Sequence, residues 1–354
     1  SDKSSENKTL VRNSRSSASG SLRMILSGQR RLIRLGSGMS TQINGSDSIM
    51  KSVDHQKFLS SLSNETRASL IQRTNRHGVA HLAVHWALII SFGLAIYFAL
   101  PGWQLLLVPQ GILIVFLFTL LHESIHQTPF KTRWLNAMAA RVSGFLIFLP
   151  STWFKYFHLA HHRFTQIPGK DPELAFEKPK TILGHIIHVS GFPTWIGHFK
   201  TLFENAMSNC KADFLPQKAE PRIVKESRLL LFAYMIILSG NIFWMSAELF
   251  WIWLLPVLLG QPFLRFYLLA EHGLCPTVAN MFENTRTTFT NRIVRFVAWN
   301  MPYHTEHHVH PMVPFHKLPE LHKIIENELI HKEASYTAFT SRYIAELKEN
   351  DCHT

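Results

Sequence analysis

Four long apolar segments are the dominant pattern of this chain. They cover residues 81–100, 103–121, 229–247 and 249–270, and Arg265 is the one Lys, Arg, Asp or Glu that they contain. A helix needs about 20 apolar residues to cross the hydrocarbon core of a bilayer. Pro101 and Gly102 separate the first two segments, and a short polar turn at 246–248 separates the last two. The pattern predicts an all-α membrane protein with four transmembrane helices in two hairpins.

The remaining segments are more polar and predict a division of the chain into four parts. Residues 1–50 contain thirteen serines and few apolar residues, which predicts a disordered N-terminal tail; a targeting segment rich in Ser and Arg is the alternative. Residues 51–76 are expected to form a cytoplasmic amphipathic helix, 77–325 the membrane domain, and 326–354 a C-terminal cytoplasmic helix and tail. Within these parts we expect surface helices over 181–203 and helices at 320–332 and 334–349.

Positive charge indicates the orientation of the predicted helices. Residues 1–80 hold thirteen Lys and Arg against five Asp and Glu, and residues 122–228 hold fourteen against eight. Lys and Arg favour the cytoplasmic side of a membrane, so both termini and the central loop are expected there. The net charge of +12 suits contact with anionic headgroups. No basic patch with interleaved aromatic residues indicates a nucleic-acid partner.

Three histidine clusters stand beside these apolar segments. HESIH contains His122 and His126, HLAHH contains His158, His161 and His162, and HTEHH contains His304, His307 and His308. On a helix, residues three or four positions apart project from one face, so each cluster can direct its rings to one point. The fourth apolar segment is followed at once by a further histidine, His272. These nine rings exceed the three or four ligands of one zinc ion and suit two metal ions, for which iron is the natural choice.

These clusters make the chain resemble the integral-membrane fatty acid desaturase family over residues 80–325. The matching elements are HESIH, HLAHH with the following RFTQIPGKDPEL, the AEHG around His272, and NMPYHTEHHVHPMVPFHKLP. The resemblance implies that a cytoplasmic helical cap holds two iron ions. It also implies an oxidoreductase that uses O2 as co-substrate and removes hydrogen from a carbon chain. The ligands that it implies are His122, His126, His158, His161, His162, His272, His304, His307 and His308.

Several features distinguish the chain from other members of that family. Acyl-CoA desaturases have four residues between the histidines of the first cluster, whereas this chain has three, and they have Asn where this chain has Leu268. An acyl-CoA substrate is therefore not implied, and acyl lipids, hydrocarbons and carotenoids remain open. No His-Pro-Gly-Gly run of a fused cytochrome is present, so a separate electron donor of the ferredoxin or cytochrome b5 type is expected.

Side chains beside the clusters are candidates for supporting roles. Carboxylates next to metal ligands can orient imidazole N–H groups, and solvated acids are the alternative. The candidates are Glu123, Asp171, Glu271 and Glu306. Aromatic residues near the clusters could line a substrate channel or form a membrane-interface belt. These are Trp153, Tyr156, Phe157 and Tyr303. The remaining histidine series, at 77, 81 and 85, at 185, 188 and 198, and at 310, 316 and 322, are interpreted as interfacial or structural.

Four functions compete at this point. Desaturation of a fatty acyl or related lipid chain is favoured, and hydroxylation or ketone formation on a lipid or hydrocarbon could use the same two metals. HESIH also matches a zinc metalloprotease pattern, in which Glu123 would be the general base, but this leaves seven of the nine histidines without a role. A membrane transporter or haem carrier would need histidines at mid-membrane depth, whereas these lie at the ends of the apolar segments.

Overall fold

The computed structural model describes residues 53–352 and is mostly helical. The α-helices are α1 His55–Ser61, α2 Asn64–Leu70, α3 Arg76–Tyr97, α4 Leu107–Val115, α5 Leu117–Ile125, α6 Arg133–Leu146, α7 Ser151–Phe164, α8 Ile182–Ser190, α9 Phe192–Ala206, α10 Glu220–Phe243, α11 Leu255–His272, α12 Met281–Asn284, α13 Arg292–Val297, α14 His304–Val309, α15 Leu318–Ile325 and α16 Tyr336–Cys352. Two strands, β1 Arg286–Thr288 and β2 His331–Glu333, pair in parallel. The predicted tail, 1–50, lies outside the described residues.

Within residues 53–352, three helices are long and apolar enough to cross a membrane. They are Arg76–Tyr97, Trp103–Ile125 and Phe250–His272. The second runs through α4 and α5, and the third joins a π-helical turn, Phe250–Leu254, to α11. Each contains most or all of one predicted apolar segment. The helices extend beyond the apolar residues into the histidine clusters, because the last turns of the second and third carry His122 and His272.

Helix α10 covers most of the remaining predicted span, 229–247, but it is not among these three helices. Its first nine residues include five charged ones, which reduce its mean hydropathy. Beyond them its surface is apolar, and Phe232, Ile236 and Ile242 are each more than half exposed. A bent pair, α6 and α7, is the other segment that could provide a fourth crossing, and its two helices meet at 104°.

The corner between α6 and α7 is held by side chains from α10 and from the π-helical turn. Tyr234 Oη donates to the Phe145 carbonyl at 2.7 Å, and Trp253 Nε1 donates to the Leu146 carbonyl at 2.8 Å. Glu226 accepts hydrogen bonds from the backbone N–H groups of Ser151 and Thr152 at the start of α7. These amides have no partner within their own helix, so Glu226 caps the helix that carries HLAHH.

Two glycines set the distance between α4 and α11. A Cβ added at Gly111 would lie 1.9 Å from the Pro256 carbonyl oxygen, and one added at Gly260 would lie 2.3 Å from the Gly111 carbonyl carbon. No side chain fits at either position, so the two backbones touch. This contact fixes the spacing of the two long apolar helices, Trp103–Ile125 and Phe250–His272, whose last turns carry His122 and His272.

Several local predictions need correction. The single amphipathic helix expected at 51–76 is instead two short helices, α1 and α2, each started by a side-chain cap from Asp54 or Ser63. The surface segment 181–203 is broken into α8 and α9 at Gly191, whose φ is +76°. The helix predicted at 320–332 ends at Ile325, because residues 331–333 pair with β1. This small sheet is an exception to the all-α prediction.

Candidate metal centre

Four helices deliver the nine predicted histidines to one region. Helix α5 and its C-cap carry His122 and His126, α7 carries the three histidines of HLAHH, α11 ends in His272, and α14 consists of HTEHHV. Eight of the nine side chains are at most 7% exposed, and His162 is half-buried. The helical spacing therefore aims all the clusters inward, and the rings meet away from solvent.

Five of these histidines form the first group, which we define as His122, His126, His158, His162 and His307. One ring nitrogen of each lies within 4.8 Å of those of all the others. The Nε2 atoms of His126 and His158 are 2.8 Å apart, and those of His307 and His162 are 3.1 Å apart. The group combines one histidine pair from α5, one from α7 and a single ring from α14.

The second group contains His161, His272 and His308, whose ring nitrogens also lie within 4.8 Å of one another. The ninth histidine, His304, stands beside it, with its Nε2 atom 3.2 Å from that of His272. The two groups are neighbours, because the rings of His162 and His308 stack with their centroids 4.1 Å apart. The structure thus brings all nine predicted histidines together, eight of them in two adjacent groups and His304 beside the second.

Three of the four predicted carboxylates face a histidine ring of these groups. Asp171 accepts from His161 Nδ1 at 3.0 Å, Glu123 Oε1 lies 3.4 Å from His307 Nδ1, and Glu271 Oε1 lies 3.3 Å from His304 Nδ1. Each of these pairs leaves the other ring nitrogen, Nε2, free to face the centre of a group. A carboxylate in this position fixes the ring's tautomer and orientation.

The fourth carboxylate, Glu306, faces away from the nine rings. It is fully buried, and it accepts from Thr287 Oγ1 at 2.6 Å and pairs with His322 Nδ1 at 2.5 Å. Its neighbours in sequence are metal-site candidates, but its own side chain leaves the opposite side of α14. Its contacts join α14 to β1 and α15.

Other supporting contacts were not anticipated from the sequence. Thr165 Oγ1 lies 3.2 Å from His308 Nδ1, His272 Nδ1 donates to the Asn284 carbonyl at 3.0 Å, and Thr128 Oγ1 donates to Glu123 at 2.6 Å. Thr165 and Thr128 follow the second and first clusters closely, so their proximity was a usable signal. Asn284 acts through its backbone, which no side-chain pattern reveals.

Several histidines of the site outside the apolar helices are held in their neutral form. His161 is the exception, because although burial acts to lower its pKa, Glu173 and Asp171 raise that pKa above the ordinary value. Burial lowers the pKa of His126 to about 3, and the nearby His161 adds to the effect. Burial first, and neighbouring imidazoles second, also hold the pKa of His304, His307 and His308 well below its ordinary value. Neutral imidazole is the form that binds a metal ion.

Buried ring nitrogens provide a test of whether a metal ion fits. Among the described residues, His308 Nε2 has no hydrogen-bond partner. The Nε2 atoms of three ring pairs also face each other at 2.8–3.2 Å, and the pairs are His126 and His158, His162 and His307, and His272 and His304. An unsatisfied buried polar atom costs about 1–3 kcal/mol. Converging neutral imidazoles with nitrogens in these positions suit a cation as their common partner. The donor set therefore fits two metal ions that prefer nitrogen ligands.

The predicted aromatic residues separate into two places. Trp153, Tyr156 and Phe157 line a cavity of about 1040 Å³ on the side of α7 away from the histidine groups, and Asp171 reaches this cavity from its far wall. Tyr303 does not line it. The Tyr303 hydroxyl instead accepts from Arg295 at 3.1 Å, and its ring lies against His322.

The remaining histidine series stay outside both groups in the described part of the chain. His81 and His85 bond to backbone carbonyls of Phe296 and Leu113, and the ring of His77 stacks on that of His316. His198 bonds to the Ile147 carbonyl. These contacts support their interpretation as structural residues.

Comparisons with known proteins identify the family of this chain. A family model described as fatty acid desaturase matches residues 99–340, which is more than half of the chain. A dihydrorhizobitoxine desaturase from Bradyrhizobium elkanii is 25% identical over 278 residues, which cover 72% of this chain and 77% of that protein.

Proposed function

The chain belongs to the fatty acid desaturase family, and we propose that it is a membrane-bound di-iron, O2-dependent desaturase that introduces a double bond into a fatty acyl or related lipid chain. The observation that carries this proposal is the pair of adjacent histidine groups. One iron is held by His122, His126, His158, His162 and His307. The other is held by His161, His272 and His308, and His304 is the nearest further ring.

The iron ions, when bound, supply the activation of O2 that removal of hydrogen from an unactivated carbon requires. The chain's own residues position and insulate that centre. Asp171 accepts a hydrogen bond from His161 Nδ1. Asp171 is itself fixed by the backbone N–H groups of Gln166 and Glu173, which donate to it at 2.8 and 2.9 Å. Although burial acts to raise the pKa of Asp171, its bond to His161 and these amide bonds keep that pKa below its ordinary value. Asp171 therefore stays ionised and keeps accepting from His161.

The aromatic cavity is the proposed binding site for the part of the lipid chain that lies away from the reacting bond, because Asp171 but none of the nine histidines lines it. Its volume of about 1040 Å³ is in the range of sites that enclose ligands of this size. Phe157, Phe176 and Phe214 give it an apolar wall. Similarity to a protein named a desaturase supports double-bond formation over hydroxylation or ketone formation, which the same metal site could also perform.

The proposed topology has four membrane crossings in two hairpins, with both termini, the central loop and the metal centre on the cytoplasmic side. The three apolar helices supply three crossings, and the exposed apolar surface of α10 supports its assignment as the fourth. Lys and Arg outside the apolar segments support the orientation. Electrons come from a separate ferredoxin or cytochrome b5 type donor.

The structure favours this reading over a zinc metalloprotease. Glu123 is fully buried and accepts from Thr128, so it does not face a space where a peptide and a water molecule could meet. The pair His122 and His126 is also joined by three further rings. A protease site would need one open ligand position, whereas five rings surround this point.

The test combines metal analysis with lipid analysis. Purified full-length chain should contain about two irons per molecule and show no haem absorbance band. A host that produces the chain should accumulate lipids with a new double bond. One zinc per chain would support the protease instead, and hydroxylated or keto products without new double bonds would replace desaturation by the alternative chemistry.

A further inference from the structure

A second cavity touches the histidine groups directly. It has a volume of about 680 Å³, and its wall includes His272. The cavity lies between residues 166–180, residues 274–277 and helix α16. The larger aromatic cavity differs in this respect, because it reaches Asp171 but none of the nine histidines. The smaller cavity is therefore the one that connects a proposed iron ligand with the surface.

The lining of this second cavity combines apolar side chains, among them Leu174 and Phe176, with several polar groups. Lys178 donates from Nζ to the His272 carbonyl at 2.8 Å, and the exposed residues Glu177, Lys180 and Thr277 stand at its rim. Gln166 also lines it, is only 2% exposed, and its side-chain Nε2 has no hydrogen-bond partner among the described residues. A buried amide without a partner indicates an ordered water molecule at that position. The second cavity, which His272 also lines, therefore provides a position for water beside Gln166.

The proposed reaction needs such a route. Desaturation follows R–CH2–CH2–R′ + O2 + 2 e⁻ + 2 H⁺ → R–CH=CH–R′ + 2 H2O, with both electrons supplied by the separate donor. Each turnover thus takes up two protons and releases two water molecules at a centre whose rings are almost all buried. A cavity filled by a lipid chain cannot carry protons, because moving a charge through apolar surroundings is costly.

We propose that the cavity beside His272 is a water-filled port through which protons enter and water leaves. The inference rests on the proposed metal centre, and the port adjoins the aromatic cavity at Leu174 and Phe176, which line both. Gln166 holds the inner water, and Thr277 stands at the outer end.

Cys275, which lines the port, provides a test that needs no turnover. In a full-length Cys210→Ser, Cys352→Ser background, a small hydrophilic methanethiosulfonate reagent should label Cys275 in the folded protein. Thr277→Trp should slow this labelling by about tenfold or more, which corresponds to a modest barrier. Leu215→Trp, a matched insertion in the aromatic cavity, should leave the rate unchanged. A Cys275 thiol that reacts only after unfolding would overturn the port.

The second measurement uses azide as a probe of access to the iron-loaded protein. Thr277→Trp should slow the azide-induced absorbance change about tenfold, and Leu215→Trp should not. Chemical labelling of Cys275 in a protein that keeps Thr277 should slow the azide-induced absorbance change in the same way. This second way of blocking the port tests it even where the Thr277→Trp variant does not fold. In turnover, Thr277→Trp should lower kcat and leave KM for the lipid unchanged, whereas Leu215→Trp should raise KM.

The outcomes separate the port from the proposed function. Wild-type azide binding and kcat in both the Thr277→Trp and the Cys275-labelled protein would refute the port even if desaturation is established. If Thr277→Trp and Cys275 labelling slow azide binding but the unmodified protein forms no double bond, the port would be supported and the desaturase assignment refuted.

Discussion

The two histidine groups differ in the number of rings and in the carboxylate and carbonyl groups that support those rings. The first group has five rings, and its one carboxylate, Glu123, lies 3.4 Å from His307. The second has three rings with His304 beside them, and it is supported by Asp171, Glu271 and the Asn284 carbonyl. Only the second has a ring, that of His272, in the wall of one of the two described cavities.

This difference suggests a division of labour in the proposed centre. A metal ion surrounded by five imidazoles has few positions left for other ligands, whereas an ion held by three or four has more. The group with fewer rings is also the one with more contacts to fixed backbone and carboxylate groups. The second group therefore combines an accessible metal position with a more rigid set of ligands.

Removing one ring from either group should have the largest effect on activity and iron content. His161→Ala and His307→Ala should each reduce activity by more than the ~100-fold that supporting residues reach. Each should also lower the iron content towards one per chain, because each removes a ligand of a different ion. Elemental analysis with a lipid assay provides the measurement. Unchanged extraction behaviour from membranes is the control, and two retained irons with full activity would contradict the ligand assignment.

Removing the supporting carboxylates should reveal the difference in rigidity. Asp171→Asn should reduce iron affinity or activity by about 10–100-fold, because the amide cannot accept from His161 and two backbone amides together. Glu123→Gln should cost less, since Glu123 lies 3.4 Å from its ring. Competition with an iron chelator would measure both. An equal or larger loss in Glu123→Gln would mean that the first group depends more on its support.

Glu306→Gln should affect stability and leave the iron content unchanged. Its two partners, Thr287 and His322, belong to neither group, and loss of one buried contact costs about 1–3 kcal/mol of the free energy of unfolding. Thermal unfolding in detergent would measure the change. A loss of iron from a well-folded Glu306→Gln protein would show that this carboxylate supports the metal ions after all.

The smallest effect is expected at the far end of α7. Glu226→Gln weakens the cap on Ser151 and Thr152, and loss of a helix cap costs about 1 kcal/mol. Both groups should respond to the same degree, because α7 supplies rings to each. Glu220→Gln, at the start of α10, the helix that also carries Glu226, is the matched control. Unequal iron loss from the two groups would show that α7 does not move as one unit.

The histidine positions could be predicted because their spacing acts within single helices. HESIH, HLAHH and HTEHH each repeat at three or four residues, and an apolar helix leads directly into His122 and His272. These local rules are enough to select all nine rings before any packing is known. The membership of each group could not be predicted, since α7 sends His158 and His162 to one group and His161 to the other.

The remaining errors share one cause, which is contact between distant parts of the chain. Glu306 resembled a supporting carboxylate because of its neighbours in sequence, but Thr287 and His322 draw it to the other side of α14. The pairing of β2 with β1 ends the helix that local propensity extends to residue 332. The bend before α7 depends on Tyr234 and Trp253, which lie about a hundred residues away in sequence.

The contact between Gly111 and Gly260 lies well inside the apolar helices. At 1.5 Å per residue, it is about 16–18 Å along the helix axes from His122 and His272. A single methyl group added there would wedge the helices apart and spread their tips, although no reacting atom lies nearby. Loss of function through a change buried between two apolar helices, with every histidine and carboxylate intact, is thus an expected phenotype of this architecture.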